Sequence, residues 1–402
     1  MKKKLLPIAI ILIIITGGII IAINYNYDPY KMPDDVSITL NDNIFSVYEK
    51  HMSNELIKEH NVEIISKNEL LKNEIVGDYT YTLQYKYKKR NYKYVINYSV
   101  NDQVAPIFIS APKTLTITYD DEDDICEKIV YADNYDSVPK CMVNGNYDKK
   151  TVGTYNNLEY VISDAAGNEN KKAFNLNIVN SINRIPSYST PKYLYMKDII
   201  NNYKTDKTSI GIDVSKWQGN VDFKAVKEAG VEFVIMRIGS QRDPSEEIDM
   251  DVRFKEYYKA AKEVGLKIGV YIYNTATSKE DGIKTAKWVM KELNGDKLDF
   301  PIAYDWENWT DFMQYKISLH TLSESYLAFE KELKDNGYDA MLYSSKYYLE
   351  NVWLDYENSK VWLAHYTDKT DYQGKYMMWQ MTSLAKINGI TENTVDIDIL
   401  YK

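Results

Sequence analysis

The 402-residue sequence is short of the residues that bind soft metals. It has two cysteines, Cys126 and Cys141, and four histidines, His51, His60, His320 and His365. None falls in a zinc-ligand spacing, which argues against a zinc amidase or zinc peptidase. No cysteine follows the N-terminal apolar run, so there is no lipobox. No Gly-x-Gly-x-x-Gly follows a first strand, which excludes a dinucleotide-binding sheet. Basic residues are not in excess: 49 Lys and Arg face 58 Asp and Glu, a net charge of -9. That excludes nucleic acid as a general partner, and also adhesion to anionic polymers by bulk charge. No cofactor is called for.

What is present is an ordinary globular balance, 45% hydrophobic and 27% charged. A chain of this length holds two to four domains. Tyrosine is abundant, with 37 residues; beside much Asn, Lys and Ile this reads as coding bias, and it suits wet β surfaces. Met1-Lys2-Lys3-Lys4 precedes an uncharged run, Leu5 to Ile23, long enough to span a bilayer. The lysines predict the N-terminus inside and the bulk of the chain outside. Residues 1–28 are therefore expected to be a single-pass membrane anchor. A cleaved signal peptide is the competing reading, but its apolar region would be shorter, and Ile21-Ala22-Ile23-Asn24 is a poor cleavage site. Outside the membrane a Cys126–Cys141 disulfide is permitted; two unlinked thiols are the alternative.

Residues 35–180 read as all-β. Tyr79 to Tyr85 and Tyr92 to Tyr98 alternate with period two, as half-buried strands do. A weak internal repeat opens at Val76-Gly77-Asp78-Tyr79 and again at Val152-Gly153-Thr154-Tyr155. It suggests two modules, 35–103 and 104–180. Asp121-Glu122-Asp123-Asp124 offers calcium ligands, but a solvated acidic loop is the better reading. Residues 181–207, with Pro186 and Pro191, read as a linker with one helical turn.

From Ile210 the pattern changes. Eight short apolar runs begin at Ile210, Phe233, Ile268, Pro301, Ala340, Val361, Tyr376 and Val395. Helical patterns over 221–229, 251–264, 279–293 and 319–336 separate the early ones. This predicts a β/α barrel over 208–402, with a doubly wound open sheet as the alternative. The late strands are too close in sequence for crossover helices, so they are expected to pair partly antiparallel and to give an incomplete barrel.

Asp305-Trp306-Glu307 ends the fourth run. Residues i and i+2 of a strand share a face, about 6.6 Å apart along it. Two carboxylates there look into the barrel mouth, where sites of this architecture lie. Glycoside hydrolysis needs such a pair, one acid protonated and one ionised, and like charge with partial burial separates the two proton affinities. A solvated acidic turn is the plain alternative. Other strand ends add to the set: Asp213 on the first, Tyr271 and Tyr273 on the third, Tyr343 on the fifth, Trp362 and Tyr366 on the sixth, Trp379 and Gln380 on the seventh, Asp396 and Asp398 on the eighth. Acids among aromatic faces suit a sugar chain.

The ordered motifs Gly211-Ile-Asp-Val-Ser-Lys-Trp-Gln-Gly219, Phe233-Val-Ile-Met-Arg237, Gly265-Leu-Lys-Ile-Gly-Val-Tyr271, Tyr304-Asp-Trp-Glu307, Trp379-Gln380 and Val395-Asp396 resemble glycoside hydrolase family 25, the lysozymes of the Chalaropsis type. Ala132-Asp-Asn134, Gly145-Asn146, Val152-Gly-Thr-Tyr155 and Ser163-Asp-Ala-Ala-Gly-Asn168 resemble bacterial immunoglobulin-like modules. The first resemblance implies hydrolysis of the β-1,4 bond between N-acetylmuramic acid and N-acetylglucosamine in peptidoglycan. It implies Glu307 as general acid and Asp305 as the residue that orients the 2-acetamido group or positions water. Asp213 and Asp396 are implied as supporting acids, with Arg237, Tyr271, Tyr273, Tyr343, Trp362, Tyr366, Trp379 and Gln380 binding the glycan. Phe223 and Met381 depart from the family's usual aromatics, which bears on subsite preference. The whole chain then reads as a membrane-anchored muramidase: a transmembrane helix, two immunoglobulin-like sandwiches and an incomplete barrel, monomeric, acting on glycan strands outside the cell. The alternative is a non-catalytic wall-binding or adhesion protein.

Overall fold

The computed structural model describes residues 27–182 and 192–402. The apolar run of the expected anchor lies outside these residues. Among the described residues no helix is long and apolar enough to cross a membrane. The chain divides into two compact units between Asp102 and Gln103.

The repeat hinted at by the two Val-Gly-x-Tyr sequences is a repeat of topology. In the first unit, strands Ile44–Ser46, Arg90–Asn101, Gly77–Tyr87 and Glu63–Ile64 form one sheet in that order, and Ile38–Leu40 pairs with Ile57–His60. In the second β module, Thr114–Thr118, Glu169–Val179, Gly153–Ser163 and Lys140–Asn144 take the same order, and Ile107–Ser110 pairs with Val130–Ala132. In both, the short first sheet strand lies parallel to the last strand of the long hairpin. In both, a 3-10 turn precedes the third strand, at Ser53–Leu56 and at Ile125–Lys128. Alternation along Gly153–Ser163 and Glu169–Val179 buries Leu158, Tyr160, Ile162, Phe174, Leu176 and Ile178 on one face, against Ile125, Ile129 and Tyr131. Cys126 and Cys141 form a disulfide with Cα atoms 5.9 Å apart. The acidic loop is neutralised from within: Lys128 pairs with both Asp121 and Asp123, and Asp124 caps the 3-10 turn through Cys126 N.

In the barrel the strands are β1 Thr208–Val214, β2 Phe233–Ser240, β3 Lys267–Tyr273, β4 Ile302–Asp305, β5 Ala340–Ser345, β6 Lys360–Ala364, β7 Met378–Ile387 and β8 Ile390–Tyr401. The helices are α1 Met196–Tyr203, α2 Phe223–Glu228, α3 Phe254–Glu263, α4 Lys279–Leu293, α5 Phe312–Tyr315, α6 Leu319–Asp335 and α7 Lys346–Asn351. Strands β1 to β7 pair in parallel in sequence order, and β8 pairs antiparallel with both β7 and β1. The late strands pair partly antiparallel, as their spacing predicts, and the barrel is incomplete in its helical layer, since no helix follows β6 or β7; the ring of eight strands itself is closed. The tight turn Asn388-Gly389 makes β7 and β8 a hairpin. Gly389 has φ +97°, a conformation that glycine takes without steric cost.

The barrel interior is filled at its lower end. Phe233, Ile235, Phe300, Ala303, Met341 and Met378 pack there. Gly211 faces this cluster because a Cβ would stand 2.2 Å from the Phe233 ring. The outward residues of the strands meet the helices in a second, larger core. Phe223 and Met381 belong to that core, so these two departures lie away from the mouth and carry no subsite meaning.

The expected linker also needs correction. Leu194–Tyr195 pairs in parallel with β7, and α1 has two turns, not one. Its Met196 and Ile199 are buried in the outer core of the barrel. The spacing of Met196, Ile199 and Ile200 on one face of α1 carried this signal, but Pro191 and the polar residues around it masked it. Ile199→Ala should therefore destabilise the barrel by about 2–5 kcal/mol, the usual cost for a buried isoleucine. Denaturant unfolding of the purified protein measures this; a change under about 0.5 kcal/mol would return the segment to linker status.

Candidate active site

Parallel register brings the strand ends together. Asp305 of β4 lies opposite Tyr273 of β3 and Tyr343 of β5. Tyr343 lies opposite Trp362 of β6. Across the antiparallel seam, Asp213 of β1 faces Asp396 of β8, and Asp398 faces Gln380 of β7. Directly opposed residues have Cβ atoms about 5 Å apart, so the seam alone sets acids side by side. A cavity of about 190 Å³ sits at this end, lined by Asp213, Asp305, Glu307 and Asp396 and by Tyr271, Tyr343, Trp362, Tyr366 and Gln380. A recess of about 530 Å³ shares Glu307, Tyr343 and Tyr366 with it and continues past Tyr347 and His365.

Alternation separates the three residues of the acidic motif. Asp305 is 4% exposed and points inward, and its Oδ1 has no hydrogen-bond partner in the protein. Trp306 points outward into the larger core, donating from Nε1 to the Ala276 carbonyl at 3.1 Å. Glu307, just beyond the strand end, stands at the rim, where solvent reaches it. Burial raises the proton affinity of both acids; for Asp305 the neighbouring Glu307 charge adds to it and Arg237 opposes it.

Gln380 organises the other side. Its Nε2 donates to Asp213 Oδ2 at 2.8 Å, while its Oε1 accepts from Tyr343 at 2.9 Å and from Tyr366 at 3.0 Å. Below it, Trp362 Nε1 donates to Asp398 Oδ1 at 2.8 Å. Burial first, then the charges of Asp396 and Asp398, push Asp213 well above the usual carboxylate range. Burial and then Asp396 do the same to Asp398. Asp396, nearest solvent among these three, is raised to about 7, chiefly by burial. Such a cluster cannot ionise fully at neutral pH. It holds protons at the mouth, as acid catalysis requires.

Not every candidate reaches the cavity. Trp379 lies on the outer face of β7, donating to the His365 carbonyl at 2.8 Å and meeting Tyr203 edge-on; the adjacent inward residue, Gln380, takes the place in the mouth. Trp362 reaches the cavity but is 1% exposed, so it forms the floor under Tyr343 (ring centroids 4.6 Å apart) rather than a stacking platform. Arg237 is tied to the buried Asp251 by Nε and a terminal nitrogen, at 2.8 and 2.6 Å, and it also lines a separate recess of about 610 Å³. Tyr273 stands near Asp305 and Glu307, whose charges, after burial, raise its phenol to about 12. Asp251, Asp398 as a buried partner of Asp213, and Tyr347 on the recess wall were not assigned roles from the sequence. Only Asp398 had a signal, as the i+2 neighbour of Asp396.

The chain is similar to known proteins over its C-terminal half. Residues 212–390 match the model of glycosyl hydrolases family 25. The chain is 30% identical over 190 residues to a protein named autolytic lysozyme from Clostridium acetobutylicum, covering 47% of this chain and 54% of that one. It thus spans about half the length of that relative. It is 23% identical over 211 residues to the uncharacterized protein YegX of Escherichia coli O157:H7, covering 52% of this chain and 75% of that protein. A solved family 25 glycosyl hydrolase from Bacillus anthracis aligns with a TM-score of 0.43 and 17% identity, over 50% of this chain and 93% of the other.

The raised proton affinities have a consequence for stability. The unfolded carboxyls lose their protons near their ordinary value of 3.8, whereas folded Asp396 keeps its proton to about 7. The folded state then binds more protons than the unfolded state. Stability is full below about pH 4 and declines as pH rises toward 7. Asp398→Asn keeps an acceptor for Trp362 and removes one desolvated acid. It should raise barrel stability by about 1–3 kcal/mol, and by more at pH 8 than at pH 5. Thermal melts at the two pH values check this; an equal gain, or a loss, would count against a titrating Asp398.

Proposed function

We propose that this protein is a membrane-tethered cell-wall muramidase that hydrolyses the β-1,4 bond between N-acetylmuramic acid and N-acetylglucosamine in peptidoglycan. The observation that carries the reading is the convergence of Asp213, Asp305, Glu307 and Asp396 on one cavity inside the family 25 domain. The name of the clostridial relative points the same way.

Glu307 acts as the general acid. It stands at the rim, beside the recess that would take the glycan. Burial raises its proton affinity, the direction a general acid that protonates the leaving glycosidic oxygen needs. Asp305 lies one pleat deeper. From there it orients the 2-acetamido group as that group attacks the anomeric carbon, or it positions the attacking water. Positive charge develops on the sugar in the transition state, and Asp396, raised only to about 7 and so partly ionised near neutral pH, supplies compensating negative field. Gln380 fixes Asp213 and the Tyr343 and Tyr366 hydroxyls together, so the acid side of the pocket is pre-set before substrate arrives. Tyr366, 58% exposed, offers its ring to a sugar face.

The apolar run Leu5 to Ile23, led by three lysines, supports a single-pass anchor with the enzyme outside. The β modules, read as immunoglobulin-like, would then lie between anchor and hydrolase. A wall-binding or adhesion role without catalysis is the second reading, and the duplicated module topology favours it over any third.

Full-length protein should release reducing ends from purified peptidoglycan. Glu307→Gln should lower that rate by about 10²–10⁴-fold with an unchanged melting temperature. Glu307→Gln protein that still sediments with cell walls while wild type releases no sugar would favour the adhesion reading.

A further inference from the structure

The second β module shares its core with the barrel. Ile109 and Ala132 of its paired strands Ile107–Ser110 and Val130–Ala132 are buried within the barrel's outer core, and Ile107 and Val130 pack against it. In return, Met313 of α5 packs into the module's own core. Backbone bonds join them as well: Leu319 N donates to the Asp133 carbonyl at 2.8 Å and His320 N to the Asn134 carbonyl at 3.3 Å. These satisfy two of the N–H groups that the start of α6 leaves open; the Ser318 hydroxyl accepts a third, from Thr321. A spacer held only by a linker would make none of these contacts.

The contacts fall on one stretch of the barrel, the chain from Glu307 to the start of α6. That stretch has little regular structure of its own, a 3-10 turn at Trp309–Asp311 and the single turn of α5. On its barrel side Trp309 stacks on Tyr348, with ring centroids 3.9 Å apart. On its other side Met313 meets the module. Tyr347, beside Tyr348, donates its hydroxyl to the Phe108 carbonyl of the module at 2.7 Å, and it lines the recess that Glu307 also lines.

We infer that the second β module is a working part of the hydrolase: it clamps the segment that follows Glu307 and one wall of the adjoining recess, which makes Met313 and Tyr347 positioning residues for Glu307. The inference rests on the muramidase reading. Misplacing a catalytic group by about 1 Å can cost 10²-fold in rate, and the segment is held from two sides, by Trp309 and Phe312 in the barrel's core and by Met313 in the module's.

The test uses the full chain with soluble glycan strands as substrate. Met313→Asp places a charge in the module's core side of the contact and touches no group at the mouth. It should lower kcat ten-fold or more with KM within three-fold, and Met313→Leu should restore kcat. Tyr347→Phe should lower kcat in the same direction. A folded Met313→Asp protein with wild-type kcat would overturn the inference. Amide hydrogen exchange on the wild type gives a reading that needs no variant. The Leu319 and His320 amides should exchange as slowly as those of Tyr160 and Leu176 in the module's core; exchange much faster than both cores would overturn it. A wild type that is inactive on glycan would count against the muramidase reading, and the exchange result would still decide whether the clamp exists.

Discussion

The antiparallel strand β8 sits between β7 and β1, and the mouth of the barrel depends on it. A parallel eighth strand would bring its C-terminal end to the mouth. Because β8 runs the other way, its early residues lie there instead, with Asp396 uppermost, Asp398 below and Leu400 in the apolar floor. The direction follows from chain length: two residues between β7 and β8 permit a hairpin and no crossover. One short turn thus sets two carboxyls beside Asp213, and the proton affinities of the whole pocket follow from that crowding.

Crowding of this kind opposes folding. Asp305 is desolvated with an oxygen unpaired, and Asp213 and Asp398 rely on Gln380 and Trp362 for one bond each. Arg237 reaches Asp305 only through its field, since its own hydrogen bonds go to Asp251. The offset comes from below and around: an interior packed with Phe233, Phe300 and Met341, and a continuous outer core between strands and helices. Strain stored at a pocket and compensated elsewhere in the fold is the usual arrangement at functional sites.

Much of this was legible in the sequence. Helix α4 spans the residues its periodicity marks, 279–293, because Ser278 caps it and its apolar stripe is clean. The strand-end acids were readable because a strand's period of two puts Asp305 and Glu307 on one face. Trp379 was misread for the same reason in reverse: on a strand buried on both faces, hydrophobicity does not tell inward from outward, so an outer tryptophan looked like a site residue beside the true one, Gln380. Closure of the ring was not legible, because it depends on hydrogen bonds between strands far apart in sequence. Neither was the role of Met313 or Tyr347, since a single Met or Tyr next to irregular chain carries no period at all.

The same six-strand arrangement occurs twice, yet the two copies live under different constraints. The first forms a compact unit by itself, while the second has surrendered two strands' worth of surface to the barrel. Copies of the first kind, with a fold of their own, can be gained, lost or worn down in evolution. The second kind is no longer interchangeable: its sequence must drift in step with the barrel, so relatives that trade modules freely should do so upstream of residue 103 and keep the partner next to the barrel.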